Sequence, residues 1–254
     1  VAAHDTWSDG LAAWGIPAWI LDQAPTSPWI HPPAMFGVPD DIPDSPSHRA
    51  ALDVAPLSVL DVGCGGGIAA FAVVPPATVV IGVDHQQEML DMFQRNAAGR
   101  GVQVATHLGF WPAIASEVGS ADVVTSHHVV YNVPDIVPFL TELARHAHRR
   151  VVLELPTHHP LSTLTPAWRQ FWDLDRPTTP TSGDLVAVLR EMGFDPQSAH
   201  WEAPTGRPLP FDEQVAVART RLCLPESRDQ DVADFLRQHP MPTTRDLTAI
   251  WWDV

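Results

Sequence analysis

The sequence predicts a doubly wound α/β fold, and three observations carry that prediction. Short apolar runs recur along the chain: LSVLDV at 57–62, VVIGV at 79–83, ADVVTS at 121–126 and RVVLEL at 150–155. Near-continuous strands of this kind are what a parallel sheet requires when helices cover both of its faces. Stretches with helical spacing, at 86–98 and 133–146, separate them. The first run ends in a glycine cluster, Gly63-Cys64-Gly65-Gly66-Gly67, where a strand turns into a helix.

Taken in order, residues 1–21 hold Trp7, Trp14 and Trp19 among Ala, Leu and Ile, enough for one or two short helices. A proline-rich run from Pro25 to Pro46 follows, with Asp40, Asp41 and Asp44. It reads either as an extended arm, packed through Trp29, Ile30, Met35 and Phe36, or as a mobile linker. A short helix at 48–53 leads into the first strand, and a third strand is expected at 102–106. After the fifth strand, 157–183 is a long segment with Trp168, Phe171 and Trp172 on helical spacing. A helix at 184–192, stopped by Gly193, a sixth strand at 197–202, helices at 211–222 and 229–238, and a closing strand at 247–254 complete the chain. The expected organisation is a helical and Pro-rich cap over 1–50 and a core over 51–254, with a lid insertion at about 156–183.

Composition narrows the function. The 254 residues carry 15 basic side chains, all Arg, against 30 acidic ones, for a formal charge of −15. With no Lys, a Schiff base and a Walker-type phosphate loop are excluded. The acidic balance argues against nucleic acid or an anionic membrane as partner. The apolar stretch at 67–83 is interrupted by Pro75 and Pro76, so a spanning helix is not expected. No signal segment is visible at the start, which also lacks a Met. Two cysteines, Cys64 and Cys223, suit a reducing compartment, so a soluble, cytoplasmic protein is expected.

The glycine loop is the most specific feature. Glycines there allow a tight turn and let a ligand lie against bare backbone. Asp84 closes the next strand, where a carboxylate can accept hydrogen bonds from both ribose hydroxyls of a nucleoside. Dinucleotide enzymes use G-x-G-x-x-G after an apolar residue, whereas the spacing here is G-x-G-x-G with Asp61 two residues before it. A carboxylate repels a pyrophosphate and favours an ammonium. The ligand should therefore carry a ribose and a positive amino group, a description that fits S-adenosylmethionine.

In VLDVGCGGG (59–67), IGVDHQQEML (81–90), ADVVTSHHVVYNV (121–133) and RRVVLEL (149–155) the chain resembles the class I, Rossmann-like S-adenosylmethionine-dependent methyltransferases. The resemblance covers the chain from about residue 50 to its end. It implies a mostly parallel seven-stranded sheet whose last strand is inserted antiparallel beside the fifth or sixth. It implies that Asp61, Gly63, Cys64, Gly65 and Gly67 surround the methionine part of the cofactor, that Asp84 holds the ribose, and that His85 and Met89 flank the adenine. After the third strand the family often has an acidic residue for the adenine amino group. Here Gly109-Phe110-Trp111 stands there instead, leaving stacking or backbone contact by Phe110 and Trp111.

Ligands of such sheets sit beyond the carboxyl ends of the strands. Ser126-His127-His128 lies there on the fourth strand, beside the transferable methyl group if the resemblance holds. A hydroxyl or protonated amine acceptor needs a base, and with no Lys that role falls to His127, His128 or Tyr131. If a helix begins at His127, Tyr131 lies one turn along on the same side. Equally, one His packs on the cofactor and the other caps a helix. His158 and His159 follow the fifth strand on the same rim, facing either substrate or solvent. The His pairs lack a carboxylate or Cys at ligand spacing, so no metal is expected. The tryptophans before and after the core suit an apolar pocket for a small acceptor, or simply dock the cap. The expected activity is methyl transfer to oxygen or nitrogen of a small molecule. Rivals are a protein or RNA methyltransferase, a non-enzymatic cofactor-binding module and a nicotinamide oxidoreductase.

Overall fold

The computed structural model describes residues 1–29, 38, 42–205 and 209–254. Its strands are β1 (Ser58–Val62), β2 (Val79–Asp84), β3 (Gln103–Leu108), β4 (Ala121–His127), β5 (Ala147–Pro156), β6 (Gln197–Pro204) and β7 (Thr244–Asp253). They form one seven-stranded sheet in the order β3-β2-β1-β4-β5-β7-β6. Strands β1 to β5 pair in parallel, and β7 enters antiparallel between β5 and β6, as expected from the resemblance.

The helices are α1 (Ala3–Ala13), α2 (Ala18–Leu21), α3 (Pro46–Leu52), α4 (Ile68–Phe71), α5 (Gln87–Ala97), α6 (Ile136–His146), α7 (Thr165–Trp172), α8 (Ser182–Glu191), α9 (Phe211–Arg221) and α10 (Asp229–Gln238). Helix α6 starts later than the sequence suggests, because Pro134 disfavours helical backbone in the residue before it. No helix begins at His127: β4 runs through it, and a single 3-10 turn, Val130–Asn132, holds Tyr131. Half of the proline-rich run, with Ile30, Met35, Phe36, Asp40 and Asp41, lies outside the described residues.

Alternation along the strands builds two cores. Leu60, Val124, Val151 and Leu153 pack on one face with Leu140, Leu143, Leu185 and Leu189 of α6 and α8. Val59, Val80, Val123 and Val152 pack on the other with Ala51, Ala70, Leu90 and Phe93 of α3, α4 and α5. Helix α1 joins the first core through Trp7, fully buried, whose Nε1 donates to the Val133 carbonyl at 3.0 Å.

A third cluster joins distant pieces of chain: Ile16 and Ile20, Leu164 and Trp168, and Val215, Leu222, Val232 and Leu236 of α9 and α10. Helix α7 follows the carboxyl end of β5. Helices α9 and α10 follow β6, whose last residue, Pro204, pairs with Thr244 at that same end of the sheet. The extra helices therefore collect where ligands of an open α/β sheet bind. Arg176 fastens this cluster to the end of α1. It donates to the carbonyls of Trp14 and Gly15, and its guanidinium lies 5.0 Å from the Trp14 ring and 5.1 Å from the Trp168 ring.

Candidate functional site

The turn after β1 is cut to fit bare backbone. The amides of Gly63 and Cys64 donate to the Val83 carbonyl at 2.8 and 3.0 Å, tying the turn to β2. Gly63 and Gly67 have φ of +72° and +94°, which glycine alone adopts without cost. A Cβ at Gly63 would stand 2.4 Å from Val129 Cγ2, and one at Gly67 2.3 Å from Phe71 Cε2. Asn96 Nδ2 donates to the Gly66 carbonyl at 2.8 Å from α5.

Two carboxylates flank this turn in different surroundings. Asp84, nearly buried, accepts from the Gly65 amide on one oxygen and the Gln86 amide on the other, both at 3.0 Å. Each oxygen keeps a lone pair for a further donor. Asp61 is 2% exposed, accepting from Ala70 N at 3.3 Å and from Thr125 Oγ1 at 3.1 Å. Burial pushes its carboxyl up to about 7, against the two hydrogen bonds. What Asp61 offers a cation at the turn is its field rather than an open oxygen. The Cys64 thiol is also buried, and burial raises its pKa far out of the physiological range.

At the far side of β2, the rings of His85 and Phe110 stack at 4.8 Å and 23°. Phe110 is 69% exposed, so an aromatic face borders solvent beside the glycine turn. Met89 is buried within α5. Trp111 turns the other way, its Nε1 donating to the Phe139 carbonyl of α6 at 3.3 Å and its ring edge-on to His146.

The rim of β4 and β5 gathers most of the remaining chemistry. His127 stacks at 6.0 Å on His48 of α3. Its Nε2 is buried and has no hydrogen-bond partner among the described residues. Burial holds this imidazole down at about 3, hence neutral. His128 is left-handed, with φ of +61°, and its Nε2 lies 3.4 Å from Oε1 of Glu154. Burial alone would raise the Glu154 carboxyl. The His128 hydrogen bond, the charges of His127 and His128 and the Ser47 hydroxyl outweigh it and bring the group down to about 2.

Tyr131 is brought to the same rim but engaged elsewhere. Its hydroxyl donates to the Pro156 carbonyl at 2.9 Å, its ring stacks on Trp7 at 5.5 Å, and burial raises its pKa. His159 stands edge-on to Tyr131 and stacks on Trp14 at 4.0 Å; burial, and then the Arg176 charge, lower it to about 4. His158 is exposed and bridges to Thr181. No group of three or more metal-binding side chains occurs among the described residues.

Glu154, Ser47 and His48 were not singled out from the sequence. The signal for Glu154 was available: it is the one charged side chain in VVLEL (151–155), a run otherwise apolar on both faces. Ser47 and His48 gave none, since Glu154 lies 107 residues from Ser47 and the His127 ring stacked on His48 belongs to a distant strand.

Fold and turn together define a Rossmann-like sheet with bare glycine backbone and a carboxylate at the ends of two adjacent parallel strands. Comparison narrows the class. Residues 59–149 match the methyltransferase domain family. A ubiquinone biosynthesis O-methyltransferase of Sinorhizobium medicae is 34% identical over 99 residues, 39% of this chain and 39% of that protein. The Methylococcus capsulatus protein of the same name is 32% identical over 101 residues, 38% of this chain and 43% of that one. The matched stretch thus spans less than half the length of these relatives. Among solved structures, the YcgJ protein of Bacillus subtilis superimposes with a TM-score of 0.54 and 20% identity, covering 82% of this chain and 97% of that one. A putative methyltransferase of Bacillus halodurans gives 0.51 and 18%, over 81% and 96%. These two likenesses establish the fold. The domain match adds that residues 59–149 are similar to a methyltransferase domain.

Proposed function

We propose that the chain transfers the methyl group of S-adenosylmethionine to an oxygen or nitrogen of a small organic acceptor. The observation that carries this reading is the Asp84 carboxylate hydrogen-bonded to a glycine turn that cannot accept side chains at Gly63 or Gly67. In this reading Asp84 takes the ribose hydroxyls. The turn from Gly63 to Gly67 takes the methionine part, with the buried charge of Asp61 favouring its ammonium. The exposed His85 and Phe110 rings offer a stacking face to the adenine. The bound cofactor supplies an activated methyl group on a sulfonium, an excellent leaving group, so the protein's task is alignment and removal of the acceptor's proton.

Small-molecule acceptors are favoured by the third cluster of helices, which roofs the carboxyl ends with Trp14, Trp168 and His159 close together. The curated relatives named above are O-methyltransferases, which supports oxygen as the atom methylated. The charge of −15 opposes a nucleic-acid acceptor. His128, one-third exposed, is the candidate general base. His127, neutral and facing the same end, is a packing surface beside the donor.

Calorimetric titration with S-adenosylhomocysteine and with NAD separates the classes: the first should bind and the second should not. Asp84→Ala should weaken S-adenosylhomocysteine at least about tenfold, the worth of a hydrogen bond to a charged group. Affinity equal to the parent's would place the ribose elsewhere.

A further inference from the structure

Glu154 has no part in the donor site. It sits directly across the β4–β5 ladder from His127, 6% exposed, as the one charged side chain in the run 151–155 of β5. A carboxylate buried there is costly unless its oxygens are met by donors. One oxygen, Oε2, accepts from Ser47 Oγ at 2.6 Å, and Ser47 is itself fully buried with Ser45 Oγ 2.8 Å behind it. The other, Oε1, faces Nε2 of His128 at 3.4 Å.

The backbone supports the same contact. The His128 amide donates to the Glu154 carbonyl at 2.6 Å, and at the next step the chain turns left-handed. That conformation is strained for a residue with a Cβ, and such strain persists where surrounding structure imposes it, characteristically at functional sites. The ring remains 36% exposed at the acceptor end of the sheet while one nitrogen stays against the carboxylate. The other titratable groups packed here are His127 and His48, both lowered by burial and neutral near pH 7, with Asp44 close enough to act on His48.

We propose that Glu154 is the positioning residue of a His128 general base, held in place by Ser47 of α3. The proposal rests on the methyltransferase reading and deepens it: the acceptor is one that must lose a proton, an alcohol, a phenol or a protonated amine. Glu154 accepts the Nε2–H of His128, which leaves the lone pair on Nδ1. Nδ1 takes the acceptor's proton as the acceptor's lone pair bonds to the methyl carbon. The C–S bond breaks with its electron pair on sulfur, leaving a thioether. His128 becomes an imidazolium, and the Glu154 carboxylate beside it stabilises that charge.

Nitrogen-15 NMR of the His128 ring in the full chain tests this without any acceptor. In the parent, the Nε2–H proton of His128 should be seen downfield and slow to exchange, as a proton held by a carboxylate is. Glu154→Met, which removes the acceptor oxygen, should lose that resonance to solvent exchange. Glu154→Gln, which keeps an acceptor oxygen but no charge, should retain the proton with a smaller downfield shift. Should Glu154→Met not fold, Ser47→Ala carries the test, with faster exchange of the same proton expected. A parental resonance and exchange rate in whichever of these two variants folds, with S-adenosylhomocysteine bound normally, would overturn the role of Glu154 alone. Failure of the parent to bind S-adenosylhomocysteine would overturn the methyltransferase reading instead.

Discussion

Asp61 accepts from a backbone amide and a hydroxyl, with no cation among its partners in the described residues, and burial brings its carboxyl up to about 7. Its native pKa therefore lies above the unfolded value of 3.8, so between these values the native state holds a proton that the unfolded chain has lost. This group contributes stability below pH 3.8, and that contribution falls away as the pH rises toward 7. Asp61→Asn should remove this slope, a gain on the order of a few kcal/mol at pH 8 relative to the parent's own pH trend. Denaturant midpoints at pH 5 and pH 8 measure it, and parallel trends in parent and variant would reject it. An ammonium arriving at the turn favours the ionised form. Binding of S-adenosylhomocysteine near pH 7 should then release a fraction of a proton, seen as a binding heat that varies with the buffer's ionisation enthalpy. A heat independent of buffer would mean that Asp61 does not feel the ligand.

At the scale of elements, the interior of the sheet was legible and its margins were not. Strands β1, β2, β4 and β5 are covered on both faces, so burial imposes near-continuous Val and Leu, and those runs show in the sequence. The edge strands β3 and β6 are mostly exposed, as Gln103, Val104 and Ala105 or Gln197 and Ser198 illustrate, and their ends were misjudged by two residues. Helices α9 and α10 could be read as helices but not as part of the cap. Periodicity reveals that Val215, Leu222, Val232 and Leu236 share a buried surface, not that Ile16, Ile20 and Trp168 complete it. The donor turn was readable because its chemistry is local. The Ser47–Glu154–His128 contacts were not, because they depend on residues 107 apart in the chain meeting across packed elements. Trp7 shows how firmly the first helix belongs to the core: it is fully buried against Tyr131 and bonded to Val133. Trp7→Ala should cost about 3–5 kcal/mol of unfolding free energy, the range for a large aromatic lost from a packed interior. Chemical denaturation measures this, and a loss below about 1 kcal/mol would show that α1 is loosely docked.

For the molecule as a whole, the buried imidazoles set the acid limit. His127 and His159, held at about 3 and about 4, stay neutral in the native state, whereas the unfolded chain protonates both below 6.5. Their contribution is therefore lost progressively as the pH falls from 6.5 toward 4. Glu154, held at about 2, adds a further loss from its ordinary 4.5 downward. Asp61 works in the opposite sense, releasing one proton on unfolding where the two imidazoles take up two. Unfolding at pH 5.5 should show net proton uptake, and stability should rise with pH from 4 to 6.5. Thermal melts across that range, with calorimetry in two buffers, provide the measurement; a flat profile would mean that these rings are solvated.

The anchoring of Glu154 by Ser47 has a consequence for how the chain divides its work. The donor turn, Asp84 and the His85–Phe110 face all fall within the matched stretch, residues 59–149. Ser47 precedes that stretch, and Glu154, His159 and most of the helical roof follow it. In the proposed reading the base His128 lies within the matched stretch, while the residues that hold it and roof it come from outside, and the two sets meet at the ends of β4 and β5. The roof and the α3 anchor could be exchanged for others while the donor turn stayed as it is, giving one donor-binding sheet access to different acceptors.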